Sequence, residues 1–258
     1  MNARTKSPPE WFVLSDEARP LTLQRLAESL DNLRLPLQIR TAPLQAFWFL
    51  SNSLFLASQA NQDGMHANAL SITRQCIEAI SVIELGLSQL PGAEQMLLRW
   101  EKDEKTAGEI RKWLASHAWP AYGQGLWSEP WSDFITRLAK AIQPYAHYSA
   151  KLSQWQMRVR EFSRDGEEGE LHAIVEYGPR KYDPQKATRI TLYHALLIFT
   201  LARIWLATVG QSDKTFGALV DRLRTALGKS VYLDGEETNR DQQFWSLLFF
   251  SDGPQAPE

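Results

Sequence analysis

Two Arg–His pairs stand at short helical spacing in this 258-residue chain. Four residues separate Arg189 from His194, and five separate Arg111 from His117. An imidazole titrates near neutrality and can move a proton. A guanidinium can hold a phosphate and offset the charge that develops on it. Competing chemistries leave no trace. The sequence has no GxxxxGK[ST] loop, no GxGxxG after a strand, no HExxH and no GxSxG. Cys76 is the single cysteine, which excludes a thiolate zinc cage, and His66, His117, His147, His172 and His194 are scattered. No metal site and no cofactor are expected.

Arg followed by His at this spacing resembles the motif of the HEPN superfamily of helical ribonucleases and nucleotide-binding proteins. The resemblance implies metal-independent RNA cleavage. The His would move or position the 2′-hydroxyl proton, the Arg would hold the scissile phosphate, and two protomers would face each other across the motif. It also implies a phage-defence or toxin-type setting. A polar residue usually follows the Arg in that superfamily. Lys112 fits this pattern and Ile190 departs from it, although Arg189 opens the long apolar helix that such a motif favours.

A broader resemblance covers roughly residues 45 to 160. ANALSITRQCIEAISVIELGL, then IRKWLASHAW, then PYAHYSAKLSQW look like bacterial helical families of unknown function, which pair an Arg…Glu helix with a later Tyr/Ser/His-bearing helix. This resemblance implies a polar cluster of Arg74, Glu78, His147, Tyr148 and Ser149. Arg74 and Glu78 are one helical turn apart, so they can pair. If their face packs on the 145–149 segment, the group is either a fold-specifying network or a ligand site.

Helices must position these residues. Ala69, Ile72, Cys76, Ile80, Ile83 and Leu87 step by three or four and form a helical stripe, with Arg74, Gln75 and Glu78 off it. Ala46 to Gln59 is apolar nearly all round, which predicts burial on several sides. Leu23, Leu26, Leu30 and Leu33 predict one short helix within a proline-broken arm. Trp155, Met157 and Val159, then Leu171, Ala173, Val175 and Tyr177, alternate on either side of an acidic glycine turn, which predicts a β-hairpin. Arg158 and Arg160 are placed to pair across it with Glu176 or Glu170. The expected fold is mainly α: a bundle of about six core helices (45–60, 66–90, 93–117, 132–153, 184–209 and 213–228) with one inserted hairpin at about 155–177. The expected organisation is an arm at 1–40, one helical domain at 41–230 and a C-terminal tail at 231–258.

The formal net charge is −2, which argues against a protein whose whole surface grips nucleic acid. One cysteine favours a reducing cytoplasm. Ile190 to Val209 reaches membrane-spanning length, but Arg203 within it favours a core helix, so no membrane span is expected. Trp119, Tyr122, Trp127 and Trp131 in an irregular loop are either a partner surface or plain core filling, and Phe244 and Trp245 in the apolar tail are a candidate partner surface. The leading expectation is a helical interaction or binding module of a bacterial cytosolic complex, with a protein partner or a homo-oligomer. The alternative is the HEPN-like ribonuclease, with RNA as substrate.

Overall fold

The computed structural model describes residues 8–165, 170–178 and 180–230. The expected tail surface, with Phe244 and Trp245, lies outside the described residues. The architecture is mainly helical. Nine α-helices are present among the described residues: α1 (Glu10–Asp31), α2 (Leu37–Gln62), α3 (His66–Ser88), α4 (Ala93–Glu101), α5 (Ala107–His117), α6 (Trp131–Ile142), α7 (Ala150–Gln154), α8 (Pro184–Thr208) and α9 (Lys214–Gly228). One antiparallel hairpin, β1 (Met157–Asp165) and β2 (Glu170–Tyr177), interrupts them.

Local chemistry sets several boundaries. Thr106 and Glu109 form a reciprocal capping box at the start of α5. Asp183 accepts from the amides of Gln185 and Lys186, and Pro184 supplies a pre-set first turn for α8. Asp213 caps α9 through the Phe216 amide at 2.9 Å. Ser149 caps α7, so the expected 132–153 helix is two helices, with a 3-10 turn at Gln143–Tyr145 between them. The expected 93–117 helix is likewise α4 and α5, separated by the turn that ends in the Thr106 cap.

The N-terminal region differs from the expected arm. α1 runs for 22 residues through Pro20 and seats Trp11, Leu14, Ala18, Leu26 and Leu30 in the core. A proline inside a helix costs about 3 kcal/mol. Each large apolar side chain taken from water returns about 1.5–3 kcal/mol, so a buried face of this size overrides the local rule. α2 likewise starts at Leu37 and passes through Pro43. There it lies so close to α3 that a Cβ on Gly86 would meet the Pro43 Cβ at 2.6 Å.

α3 is the axis of the bundle, packed by α2 on one side and by α8, α5, α4 and α6 on others. From Ala79 to Leu87 every residue is buried, so its second half has no solvent face at all. α2 does have one. Trp48, Phe49, Phe55 and Leu56 are 46–62% exposed, which corrects the expectation of burial on several sides. α8 is long and apolar enough to cross a membrane, and 72% of its apolar stretch is buried within the bundle.

A polar clasp fixes the start of α8. The His66 Nε2 accepts from the Asp183 amide at 3.0 Å, so its Nδ1 carries the proton and donates to Asn61 Oδ1 at 2.9 Å. Asn61 in turn donates to the Ala187 carbonyl at 3.0 Å. Burial, with Lys186 adding to it, pushes the His66 pKa down to about 4. Lys186 Nζ holds the carbonyls of Trp155 and Met157, tying the base of the hairpin to α8. In the hairpin register Arg158 lies opposite Glu176, as expected. Glu170 lies opposite Asp165, at the far end of the hairpin from Arg160, which falls at the register shift between Val159 and Glu161 and has no partner in the ladder.

Candidate functional site

The two Arg–His pairs do not converge. His194 is only 2% exposed, inside the α3–α8 contact. Thr73 spends its single hydroxyl proton on the Ala69 carbonyl, so its oxygen accepts from the His194 Nε2–H at 2.8 Å. Burial, and then the Coulombic effect of Arg19, pushes the His194 pKa down to about 3. It is a neutral core imidazole. Arg189 stands five residues earlier on the same helix, about 140° around it, and is half-buried. His117 is exposed, stacks on Trp113 at 4.4 Å between ring centroids, and bonds the Trp113 carbonyl through Nδ1. Arg111 points the other way, into the protein.

The expected polar cluster is also rearranged. Arg74 is buried, makes an ion pair with Glu78, and donates to Gln143 Oε1 at 2.9 Å. The predicted Arg74–Glu78 pairing is therefore present. Its third member is Gln143, at the 3-10 turn. His147 and Tyr148 are exposed, and Ser149 is used as a cap and as a donor to the Pro144 carbonyl. The bend after α6 turns the 147–149 segment outward.

The Trp-rich loop is interior rather than a partner surface. Trp119, Tyr122 and Trp131 are 4%, 8% and 1% exposed. Trp131 packs among Tyr122, Phe134 and Phe199. Trp127 is half-buried and donates through Nε1 to the Gly228 carbonyl at 3.1 Å. Side chains satisfy the irregular backbone. Glu129 accepts from the Leu126 and Trp127 amides, Arg203 holds the Tyr122 carbonyl, and Arg224 holds those of Leu126 and Trp127. Trp119 and Trp127 place their N–H groups on Glu84 and the Gly228 carbonyl, whereas Trp131 Nε1 is buried without a hydrogen-bond partner, so ring packing alone seats it.

This loop meets a residue that sequence reasoning missed. Glu84 is 2% exposed on α3, and its Oε1 accepts from Trp119 Nε1 at 2.8 Å. The Tyr122 hydroxyl faces the same carboxyl. Burial pushes the Glu84 pKa up to about 8, against partial opposition from its Trp119 and Tyr122 contacts. Ser81, Arg111 and Thr200 line the adjoining cavity with Ile77, Ile80, Ile135 and Leu138. Arg111 Nη1 is buried there without a hydrogen-bond partner. Burial, and then the nearby Arg74, lowers the Arg111 pKa. A carboxyl held neutral at pH 7 beside a guanidinium is the kind of pair that acid–base chemistry uses. The space beside it holds about one water molecule, however, which excludes any larger substrate. The group is a closed polar knot joining α3, α5 and the Trp loop. One signal for it was available. Glu84 has Ile80, Ser81, Leu87 and Ser88 one turn away on either side, and none of these is a cation.

Among the described residues, no three His, Cys, Asp or Glu side chains gather as a metal ion would need.

Two outcomes follow from these environments. Replacing His194 with Ala leaves a core cavity and removes the donor to Thr73, so denaturant melts should show a loss of about 2–4 kcal/mol. His117→Ala should stay within about 0.5 kcal/mol, as a surface change does. Glu84 should also make stability pH-dependent. Its folded pKa is about 8 against an ordinary 4.5, so unfolding releases a proton between those values. Its contribution is greatest below pH 4.5 and falls by about 1.4 kcal/mol per pH unit as pH rises toward 8. Urea melts of Glu84→Gln should therefore gain on the unsubstituted chain steadily from pH 5 to 8. A gap that does not change with pH contradicts a neutral Glu84.

No protein-family model, no curated protein and no solved structure matches this chain.

Proposed function

We propose that the chain is a helical interaction module that docks a protein partner through the outer face of α2. The observation that carries this is the uncharged aromatic stripe on that face. Trp48, Phe49, Phe55 and Leu56 are roughly half exposed. No ionisable residue occurs between Arg40 and Asp63. Trp48 and Phe49 lie one turn before Asn52 and Phe55 and Leu56 one turn after it, all on one helix face, and soluble proteins keep exposed apolar faces of this kind for contacts. Trp and Phe are also the residue types that anchor protein interfaces.

A protein fits this face better than a lipid surface does. Helices that lie in a membrane interface carry Lys and Arg along their polar edge, and α2 has no cation beyond Arg40. The ribonuclease reading has less support. It needs Arg and His in one open groove, whereas His194 is sealed in the core and Arg111 faces away from His117.

The face can be probed in the cells that naturally make the protein. A photo-crosslinking amino acid at position 52, centred on the stripe, should give a covalent protein adduct. The same group at Asn68, exposed on α3, should not. Equal labelling at both positions, or none at position 52, overturns the reading.

A further inference from the structure

The exposed positions of α2 are arranged symmetrically about Asn52. Three residues away on either side stand Phe49 and Phe55. Four away stand Trp48 and Leu56, and seven away stand Gln45 and Gln59. All seven positions are exposed, while Ala46, Phe47, Leu50, Ser53, Leu54 and Ala57 between them are buried. Spacings of three, four and seven lie on one helix face.

We propose that the occupant of this face is a second copy of the chain, its α2 crossing the first antiparallel about a two-fold axis at Asn52. The proposal rests on the reading of the α2 face as a contact surface and adds the identity of the partner. A two-fold contact needs a self-complementary patch, in which residue i meets j and j meets i. The symmetry about Asn52 supplies one. Phe49 meets the partner's Phe55, and Trp48 meets the partner's Leu56. Gln45 meets the partner's Gln59, and Asn52 meets the partner's Asn52.

Apolar groups thus face apolar groups and amides face amides. An amide carries both donors and an acceptor, so Asn52 can bond its own copy. A single polar pair in an apolar helix seam also fixes register. With no ionisable residue from Thr41 to Gln62, two copies approach without like-charge repulsion. The stripe offers roughly 500–600 Å² per copy, near the lower bound for a specific interface, which makes the dimer reversible rather than obligate.

Engineered cysteines in the full chain test the geometry. Cys76 is buried, with its thiol pushed up to about 12, and does not compete. Mild oxidation of Asn52→Cys should give a disulfide-linked dimer. Trp48→Cys alone should not, because antiparallel pairing sets its two copies about 12 Å apart along the axis. Mixed with Leu56→Cys, it should cross-link. Sedimentation of the unsubstituted chain should show a monomer–dimer equilibrium reaching dimer by about 100 μM. Phe49→Asp with Phe55→Asp should abolish that dimer while leaving the helical circular dichroism intact. Cross-linking of Trp48→Cys alone, or a dimer that survives the two Asp substitutions, overturns the proposal. A strict monomer whose position 52 labels a different protein overturns self-pairing and leaves the interaction module standing. A strict monomer with no adduct overturns both.

Discussion

Every residue of α3 from Ala79 to Leu87 is buried, and this constraint governs the rest of the molecule. A helix satisfies its own backbone, so an all-buried helix is tolerable only if its side chains are apolar or internally paired. Ser81 returns its hydroxyl to the Ile77 carbonyl. Glu84 has no such local option. It is kept neutral by burial and given a donor by Trp119, which lies 35 residues away. The Trp loop, the N-terminus of α6 and the carbonyl-holding Arg203 and Arg224 thus belong to one device, which closes α3 on the side that α2 and α8 leave open. The same burial makes His194 a core imidazole, because α8 must lie flat on α3 to cover it.

The contact proposed for this chain uses the surface that this arrangement leaves over. α2 covers α3 with one face, and its other face is free of charge and rich in aromatic rings. Exposing that much apolar area works against solubility in an isolated monomer, and the proposed pairing would relieve it. The buried polar groups have the reverse character. Burial holds Glu84, His66 and His194 in their neutral forms, and the cavity beside Glu84 has no room for a ligand, which is the mark of groups that specify a core.

The sequence exposed periodic features and hid long-range ones. The α3 stripe, the hairpin, the Pro184 start of α8 and the Asp213 cap all follow from spacing or from local hydrogen-bonding chemistry, and each is present. The N-terminal arm is absent as such because proline rules weigh one hydrogen bond, whereas the buried face of α1 weighs several large side chains. The Trp loop was legible as irregular, with partner surface and core filling both open to it, and the structure makes it interior. Its position depends on Arg203, Arg224 and Glu129, and the two arginines come from helices far along the chain. The Arg74–Glu78 pair follows from one turn of helix. Gln143, 69 residues away, does not. The outward turn of α2 depends on which of its faces α3 occupies, and an all-round apolar pattern leaves that open.

Native-state hydrogen exchange tests the central role of α3 most directly. The amides of Ala79 to Leu87 should exchange only through global unfolding, with the same free energy as denaturant melts give, while α7 and the hairpin open at lower cost. Local opening of α3 with α2 and α8 still protected would contradict the account.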